Sequence, residues 1–331
     1  MIKKILRIVL YPVLYKLGIP GLLFRKAHKN LILCYHGVST HPDFRVNNRH
    51  MDVKQFERDI LFLRKHFEIV SLRTIFEKNG IRSAKPLLSI TFDDGYQNNF
   101  ENVLPLAEKY NIPVTFFIIT AGLYDPEFIT WYDLVDFVKL SSIPEIEFDD
   151  SIFLRMHDGS YQCKNTSIED YIKSMNRARE KALENLYNVY RQKVDKCKRI
   201  LQEYWKLVSK EMLKRNVGNK WLTIGSHTHL HFNLGNNNKE LIIAELNQSM
   251  KSIEEITGLF INSIAFPDGS YNDDVKNLAE EAGYSYQLAV DYRLASDIGD
   301  KRILRRYSVS NSTTHEANML MLAFGIKKYG I

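Results

Sequence analysis

Two aspartates stand side by side in Thr91-Phe92-Asp93-Asp94-Gly95, directly after the apolar run Leu87 to Phe92. That run reads as a short buried strand, so the fold has to deliver two carboxylates to one strand end. Like charges that close are costly unless a cation or a proton compensates. A metal can hold one carboxylate while the other stays free to move protons. An isolated Asp-Asp-Gly is most simply a polar turn; a second constellation downstream tells against that reading here.

That second constellation is Gly225-Ser226-His227-Thr228-His229-Leu230-His231, which follows the apolar run Trp221-Leu222-Thr223-Ile224. Three of the chain's ten histidines fall within five residues. Neutral imidazole is the commonest protein ligand for zinc and also suits iron, cobalt and nickel. Spacings of two or four residues can bring two rings to one side of the chain. Two histidines and one carboxylate form a three-ligand set that leaves metal positions open for water and substrate.

At these residues the chain resembles the NodB-homology polysaccharide deacetylases of carbohydrate esterase family 4, whose first two motifs are T-F-D-D-G and H-[ST]-x-x-H. Both motifs occur intact and in order. The resemblance continues through Ala265-Phe266-Pro267-Asp268-Gly269-Ser270-Tyr271-Asn272, similar to the family's third motif. Ile303-Leu304-Arg305-Arg306-Tyr307-Ser308-Val309 is similar to the L-P-R-I-x-V segment of the branch acting on exopolysaccharides. Leu33-Cys34-Tyr35-His36-Gly37-Val38 looks like that branch's first strand. The likeness spans about residues 30 to 312, apart from one insertion.

The resemblance implies an irregular (β/α)7 barrel and a role for each matching position. Asp93 would be the general base, and Asp94, His227 and His231 the metal ligands. A backbone N–H, by position that of Asp268, would help hold the oxyanion. The arginine that braces the catalytic aspartate in many members is missing from the third motif, which reads Ala265-Phe266 here; Arg306 is its expected substitute. The Leu-His motif that supplies the general acid is not found, which leaves His36 as the candidate and His315 as second choice. His229 would sit beside the metal or face solvent. Zinc is the expected ion, with cobalt, nickel and iron(II) also compatible.

A chain of 331 residues with 45% apolar content can bury one large core. Strand and helix signals alternate along it: Phe67 to Val70 then Leu72 to Lys78, Leu87 to Phe92 then Asn98 to Tyr110, then Val114 to Thr120. Farther on, Ile261 to Phe266 leads into Asp273 to Ala282, and Tyr284 to Val290 follows. Such alternation argues independently for an α/β barrel, with both main motifs at strand C-terminal ends, where barrel enzymes keep their chemistry. The insertion runs from about 131 to 217. It opens with Trp131-Tyr132-Asp133, carries a hairpin over Ile146 to Tyr161 turning at Asp158-Gly159, and continues as a charged helical stretch from Ile168 to Leu213. The acidic pair Asp149-Asp150 reads as a solvated turn.

The net charge is +6, and residues 1–26 carry six basic side chains and no acid. The remainder, a deacetylase-like domain over 27–331, is balanced, so the excess charge of a nucleic-acid surface is not there. Apolar stretches lie between the N-terminal cations, as in an interfacial membrane helix. Pro12 and Lys16 interrupt them, and no Ala-x-Ala-like cleavage site follows. The expected location is the cytoplasmic face of a membrane, peripheral or monotopic, with an uncleaved signal anchor or a helix merely packed on the core as the alternatives. Cys34, Cys163 and Cys197 show no disulfide pattern, and Cys34 falls in an apolar strand.

The expected activity is metal-dependent N-deacetylation of an N-acetylhexosamine in capsule, O-antigen or exopolysaccharide assembly. The substrate would be an N-acetylated glycan or a lipid-linked or nucleotide-linked sugar. An O-acetyl esterase of the same fold, or a carbohydrate-binding protein that has lost catalysis, are the alternatives.

Overall fold

The computed structural model describes residues 10–77, 83–309 and 313–331. Residues 1–9 of the basic N-terminal segment, and Lys78 at the end of one expected helix, lie outside the described residues.

The barrel strands are β1 (Leu31–Tyr35), β2 (Leu87–Phe92), β3 (Val114–Ile118), β4 (Leu222–Ser226), β5 (Ser263–Ala265), β6 (Tyr286–Ala289), β7 (Ile303–Arg305) and β8 (Tyr307–Ser308). Their order is β7-β6-β5-β4-β3-β2-β1-β8, with every pair parallel. Only Arg306 separates β7 from β8. Residues 303–308 therefore act as one seventh strand whose first half pairs with β6 and whose second half pairs with β1, closing the barrel. The expected seven-stranded α/β barrel is observed.

The strands form because both faces are covered. All residues of β1, β2 and β3 are buried, which accounts for their near-continuous apolar runs rather than an alternating pattern. Outer helices start and stop at local signals. Asp52 caps Val53–His66 by accepting from the Lys54 and Gln55 N–H groups, and Asn272 caps Asp273–Ala282. Gly258, in the left-handed conformation, ends Lys239–Thr257. The expected helix over Asn98 to Tyr110 begins with a π-helical turn, Asn99–Val103, and becomes α-helical at Leu104–Tyr110. Pro105 lies in the first α-turn, where its missing N–H breaks no helical bond.

Between β3 and β4 the chain leaves the barrel. Helix Trp131–Lys139 leads into an antiparallel sheet of Glu145–Phe148, Ser151–Arg155, Tyr161–Cys163 and Thr166–Ser167. The hairpin expected at Asp158-Gly159 is there, but it is one of several turns. An earlier one is made by Asp149 and Asp150, exposed and both with positive φ (48° and 58°), the combination a tight hairpin requires. No glycine announces that turn. The helical stretch is broken into Ile168–Ser174, Ala178–Ile200 and Lys210–Arg215. Apolar residues of the inserted sheet and helices, among them Phe153, Tyr161, Ile172, Leu186 and Trp205, form a core of their own against Trp131–Lys139.

At the closed end of the chain, helices Tyr11–Lys16 and Ile19–Ala27 pack on the C-terminal helix His315–Tyr329, with Phe24 fully buried. Tyr15 Oη lies 2.9 Å from His315 Nε2, and His315 Nδ1 lies 2.5 Å from Asp59. Among the described residues no helix is long and apolar enough to cross a membrane.

The turn after β2 offers a direct check. Gly95 has φ 73°, and a Cβ there would come within 2.6 Å of Ile118 Cγ2 and 2.9 Å of Ile118 Cα. Gly95→Ala should therefore lower stability by about 2–5 kcal/mol in urea unfolding. Gly159→Ala, with φ 85° but no atom within 4 Å of the added carbon, should cost only about 1–2 kcal/mol.

Candidate metal centre and catalytic cleft

A cleft of about 790 Å³ opens at the rim formed by the C-terminal ends of the strands. Parallel pairing sends every strand end to this rim, so residues distant in sequence meet there. His36 follows β1, Asp93 and Asp94 follow β2, His227 follows β4, and Asp268 follows β5; all line the cleft. Arg306 reaches Asp93 from the seam.

Asp93 is gripped from two sides. Arg306 donates from Nη1 to Oδ1 and from Nη2 to Oδ2, both at 2.7 Å, a bidentate fork. The guanidinium is itself satisfied by Thr91 Oγ1 at 3.1 Å and the Ala289 carbonyl at 3.4 Å. The Cys34 thiol donates to Asp93 Oδ2 at 3.3 Å. Burial pushes the Asp93 carboxyl upward, but the opposing pull of Arg306, helped by His227, holds it well below the usual carboxylate range.

Asp94 has the opposite environment. It sits at φ 71°, a left-handed position that turns the chain after the strand. Burial pushes its carboxyl up to about 6, with Asp93 adding to the rise and His227 opposing it. Its Oδ1 lies 3.5 Å from His227 Nε2 and 3.8 Å from His231 Nε2. Oδ2 is buried with no hydrogen-bond partner among the described residues. His227 Nδ1 lies 2.7 Å from the Ala265 carbonyl, which can only accept. That bond assigns the ring proton to Nδ1 and leaves the Nε2 lone pair facing Asp94. The ligand atoms of Asp94, His227 and His231 lie within 4.8 Å of one another, all three residues buried. Atoms about 2.1 Å from one ion sit roughly 3 to 3.5 Å apart. With a partnerless carboxylate oxygen in the same place, the set fits a divalent cation.

The remaining expected positions fall as follows. A His36 ring nitrogen lies within 4.8 Å of the Asp93 carboxylate. Burial holds its imidazole down at about 4, Asp93 opposing and Arg49 and Arg306 adding to the fall. Asp268 stands in the turn after β5 at φ 54°, its carboxylate 3.3 Å from Lys173 of the inserted region. His229 is not in the Asp94–His227–His231 cluster; its Nδ1 lies 2.9 Å from Thr120 Oγ1, beside a separate groove. His315, engaged with Asp59 and Tyr15, is not among the residues of the cleft.

Several cleft residues carried no readable signal in the sequence. Cys34, expected only as a buried strand residue, touches Asp93. Arg49 bridges Asp133 and Asp136 at 2.7 Å each and lies 4.5 Å over the Tyr132 ring. Tyr132 in turn packs edge-on against His231, with centroids 5.2 Å apart. The triplet Trp131-Tyr132-Asp133 was visible as the opening of the insertion, but nothing in it announced a contact with His231.

Comparison with known proteins agrees with this fold. The profile of the family described as polysaccharide deacetylase matches residues 80–139 and 190–287. A poly-beta-1,6-N-acetyl-D-glucosamine N-deacetylase of Staphylococcus aureus (strain MRSA252) is 22% identical over 277 residues, 80% of this chain and 70% of the relative. The Streptococcus pyogenes deacetylase PplD, solved in complex with acetate, superposes with a TM-score of 0.57 at 15% identity, over 88% of this chain and 97% of its own. IcaB from Ammonifex degensii gives 0.55 at 15% identity, over 90% and 96%. At such identities the superpositions speak for the fold.

The Arg306–Asp93 pair yields a prediction with a definite pH sign. Arg306→Met leaves a buried carboxylate without its partner and should cost about 3–5 kcal/mol at neutral pH. The folded value of Asp93 lies below its unfolded value of about 3.9. Its stabilising contribution is therefore complete above that pH and lost as pH falls through the folded value. The stability gap between wild type and variant, followed by urea unfolding, should narrow on acidification.

Proposed function

Because the chain belongs to the polysaccharide deacetylase family, we propose that it hydrolyses the acetamide of an N-acetylhexosamine in a cell-surface glycan, with a divalent metal ion as cofactor. The observation that carries this reading is the division between the two adjacent aspartates. One is locked ionised by Arg306, and the other faces two histidines. Asp94, His227 and His231 would hold the ion, zinc by preference given two imidazoles and one carboxylate. A cation bound there supplies Lewis-acid polarisation of the acetamide carbonyl and acidifies water.

The protein's own groups then divide the proton work. Asp93 is ionised at neutral pH and accepts the proton of the attacking water. Arg306 keeps both carboxylate oxygens oriented while that happens. The backbone N–H of Asp268 is assigned to the developing oxyanion. His36, neutral at rest and near Asp93, is assigned to relay a proton toward the leaving amine, since a neutral imidazole can both receive and return one. The aromatic rings of Phe44, Trp131 and Tyr132 in the cleft suit the apolar faces of sugar rings. The S. aureus relative, by its name, acts on a poly-N-acetylglucosamine, which supports a polymeric N-acetylated substrate for this chain.

The same reading extends to location, on the cytoplasmic face of a membrane and close to lipid-linked or nucleotide-linked sugar intermediates. Leu10, Val13, Leu17 and Leu22 are exposed on or beside the N-terminal helices, among Lys16, Arg25 and Lys26. Phe324 is exposed on the C-terminal helix against which those helices pack. Apolar side chains flanked by cations are suited to an anionic lipid surface.

Zinc-loaded protein should release acetate from N-acetylglucosamine oligomers. Asp93→Asn should lower turnover by about 10²–10⁴-fold while retaining zinc, whereas His227→Ala should lose the metal. Full turnover in Asp93→Asn would refute the assigned base. For the membrane, a Leu17→Asp, Leu22→Asp double variant should sediment several-fold less with anionic vesicles, with acetate release from a soluble oligomer unchanged. Undiminished sedimentation would exclude the surface.

A further inference from the structure

We infer that Arg179, with Glu245 opposite it, positions the ligand His231, so that the inserted region is a working part of the metal centre rather than an appendage. The inference rests on the reading of Asp94, His227 and His231 as the metal site. Arg179 lies within residues 140–189, the stretch the family profile passes over. It stands in the first turn of Ala178–Ile200 and is 2% exposed. Its Nη1 donates to the His231 carbonyl at 2.9 Å and its Nη2 to the Leu230 carbonyl at 2.7 Å. The guanidinium lies 3.7 Å over the Phe232 ring.

Glu245, 3% exposed on Lys239–Thr257, holds the same loop by its N–H groups. Its Oε2 accepts from His229 at 3.0 Å and Leu230 at 2.8 Å. The short loop 229–231 is thus clamped, its N–H groups by a buried anion and its carbonyls by a buried cation. Burying two charges is expensive unless each finds partners. Here Arg179 also pairs with Glu180 at 3.1 Å, and the other partners of the two charges include the peptide groups flanking the proposed ligand.

Two further facts explain why His231 needs such a clamp. Thr228 and His231 have φ values of 66° and 58°, left-handed positions that cost non-glycine residues about 1–3 kcal/mol each and persist only when surroundings impose them. His227 and His231 also differ in how their rings are fixed. His227 is oriented by its own Nδ1 bond to Ala265. His231 Nδ1 is buried with no hydrogen-bond partner among the described residues. No described residue makes the bond that usually orients a ligating imidazole, so the ring depends on the packing of Tyr132 and on the backbone that Arg179 and Glu245 hold.

The test compares full-length wild type, Arg179→Met, Arg179→Lys, Glu245→Gln and, as control, Lys193→Ala on the exposed face of the same helix. Three readouts are used: zinc affinity by competition with a chromophoric chelator, the visible absorption of cobalt-loaded protein, and thermal unfolding of metal-free protein. Zinc affinity should fall roughly 10–100-fold in Arg179→Met, with an altered cobalt spectrum. Arg179→Lys should recover part of the loss, because an ammonium can reach one carbonyl but lacks the fork. Glu245→Gln should shift affinity in the same direction by less, and it decides the matter if Arg179→Met does not fold. Lys193→Ala should match wild type. A folded Arg179→Met with lower stability but unchanged affinity and spectrum would overturn the inference alone. Wild type that binds zinc no better than Asp94→Ala would overturn the metal reading and this inference with it.

Discussion

A carboxylate pair at a buried strand end is unstable as a pair. Burial drives both groups toward protonation, and each raises the other. The Arg306–Asp93 fork resolves this by choosing one. Its two 2.7 Å contacts hold Asp93 ionised, while Asp94, adjacent in the chain, is left pushed up to about 6 and turned toward the histidines. The proposed base and the proposed ligand are thus separated by environment rather than by residue type. The arginine can be buried because Thr91 and Ala289 take its remaining donors, so the barrel wall supplies what water no longer can.

The wall facing this rim is built by residues that belong to neither motif. Asn47, Tyr96, Thr130 and Arg49 converge on Asp133 at 2.7–3.3 Å, and burial raises its carboxyl to about 6 against the pull of Arg49. This network fastens the loop before helix Val53–His66 to the start of the inserted region. Tyr132, one residue earlier, is thereby held against His231. The inserted region touches the ligand loop twice, through an aromatic edge here and through Arg179.

Much of the barrel was legible because strands buried on both faces leave continuous apolar runs, and because Asp-Asp-Gly and the histidine cluster each follow one. Strand boundaries were less so: Tyr284 to Val290 contracts to Tyr286–Ala289, since polar pairing rather than apolarity sets where a ladder ends. Asp149-Asp150 is the solvated turn its sequence suggested, but that it closes a hairpin was not legible, because aspartates rather than glycine adopt its left-handed pair. Cys34, Tyr132, Arg179 and Glu245 were not legible as site residues. Their importance comes from contacts across 52 residues and more in the case of Arg179 and His231, or from the closing of a loop, and neither leaves a local pattern. His231 stood out by composition, but the means of holding its ring did not.

The seam at Arg306 has a consequence for how the protein matures. Arg306 and Asp93 are 213 residues apart, and the arginine lies on the last strand in sequence, which pairs with β6 and β1 at once. Contacts of such sequence separation form late, after the loop-closure entropy of the intervening chain has been met. A nascent chain folded only through β6 would have Asp93 and both histidines but no counter-ion for Asp93. On the proposed reading, chemical competence would therefore arrive with the final strand, and hydrolysis would wait until the barrel is whole.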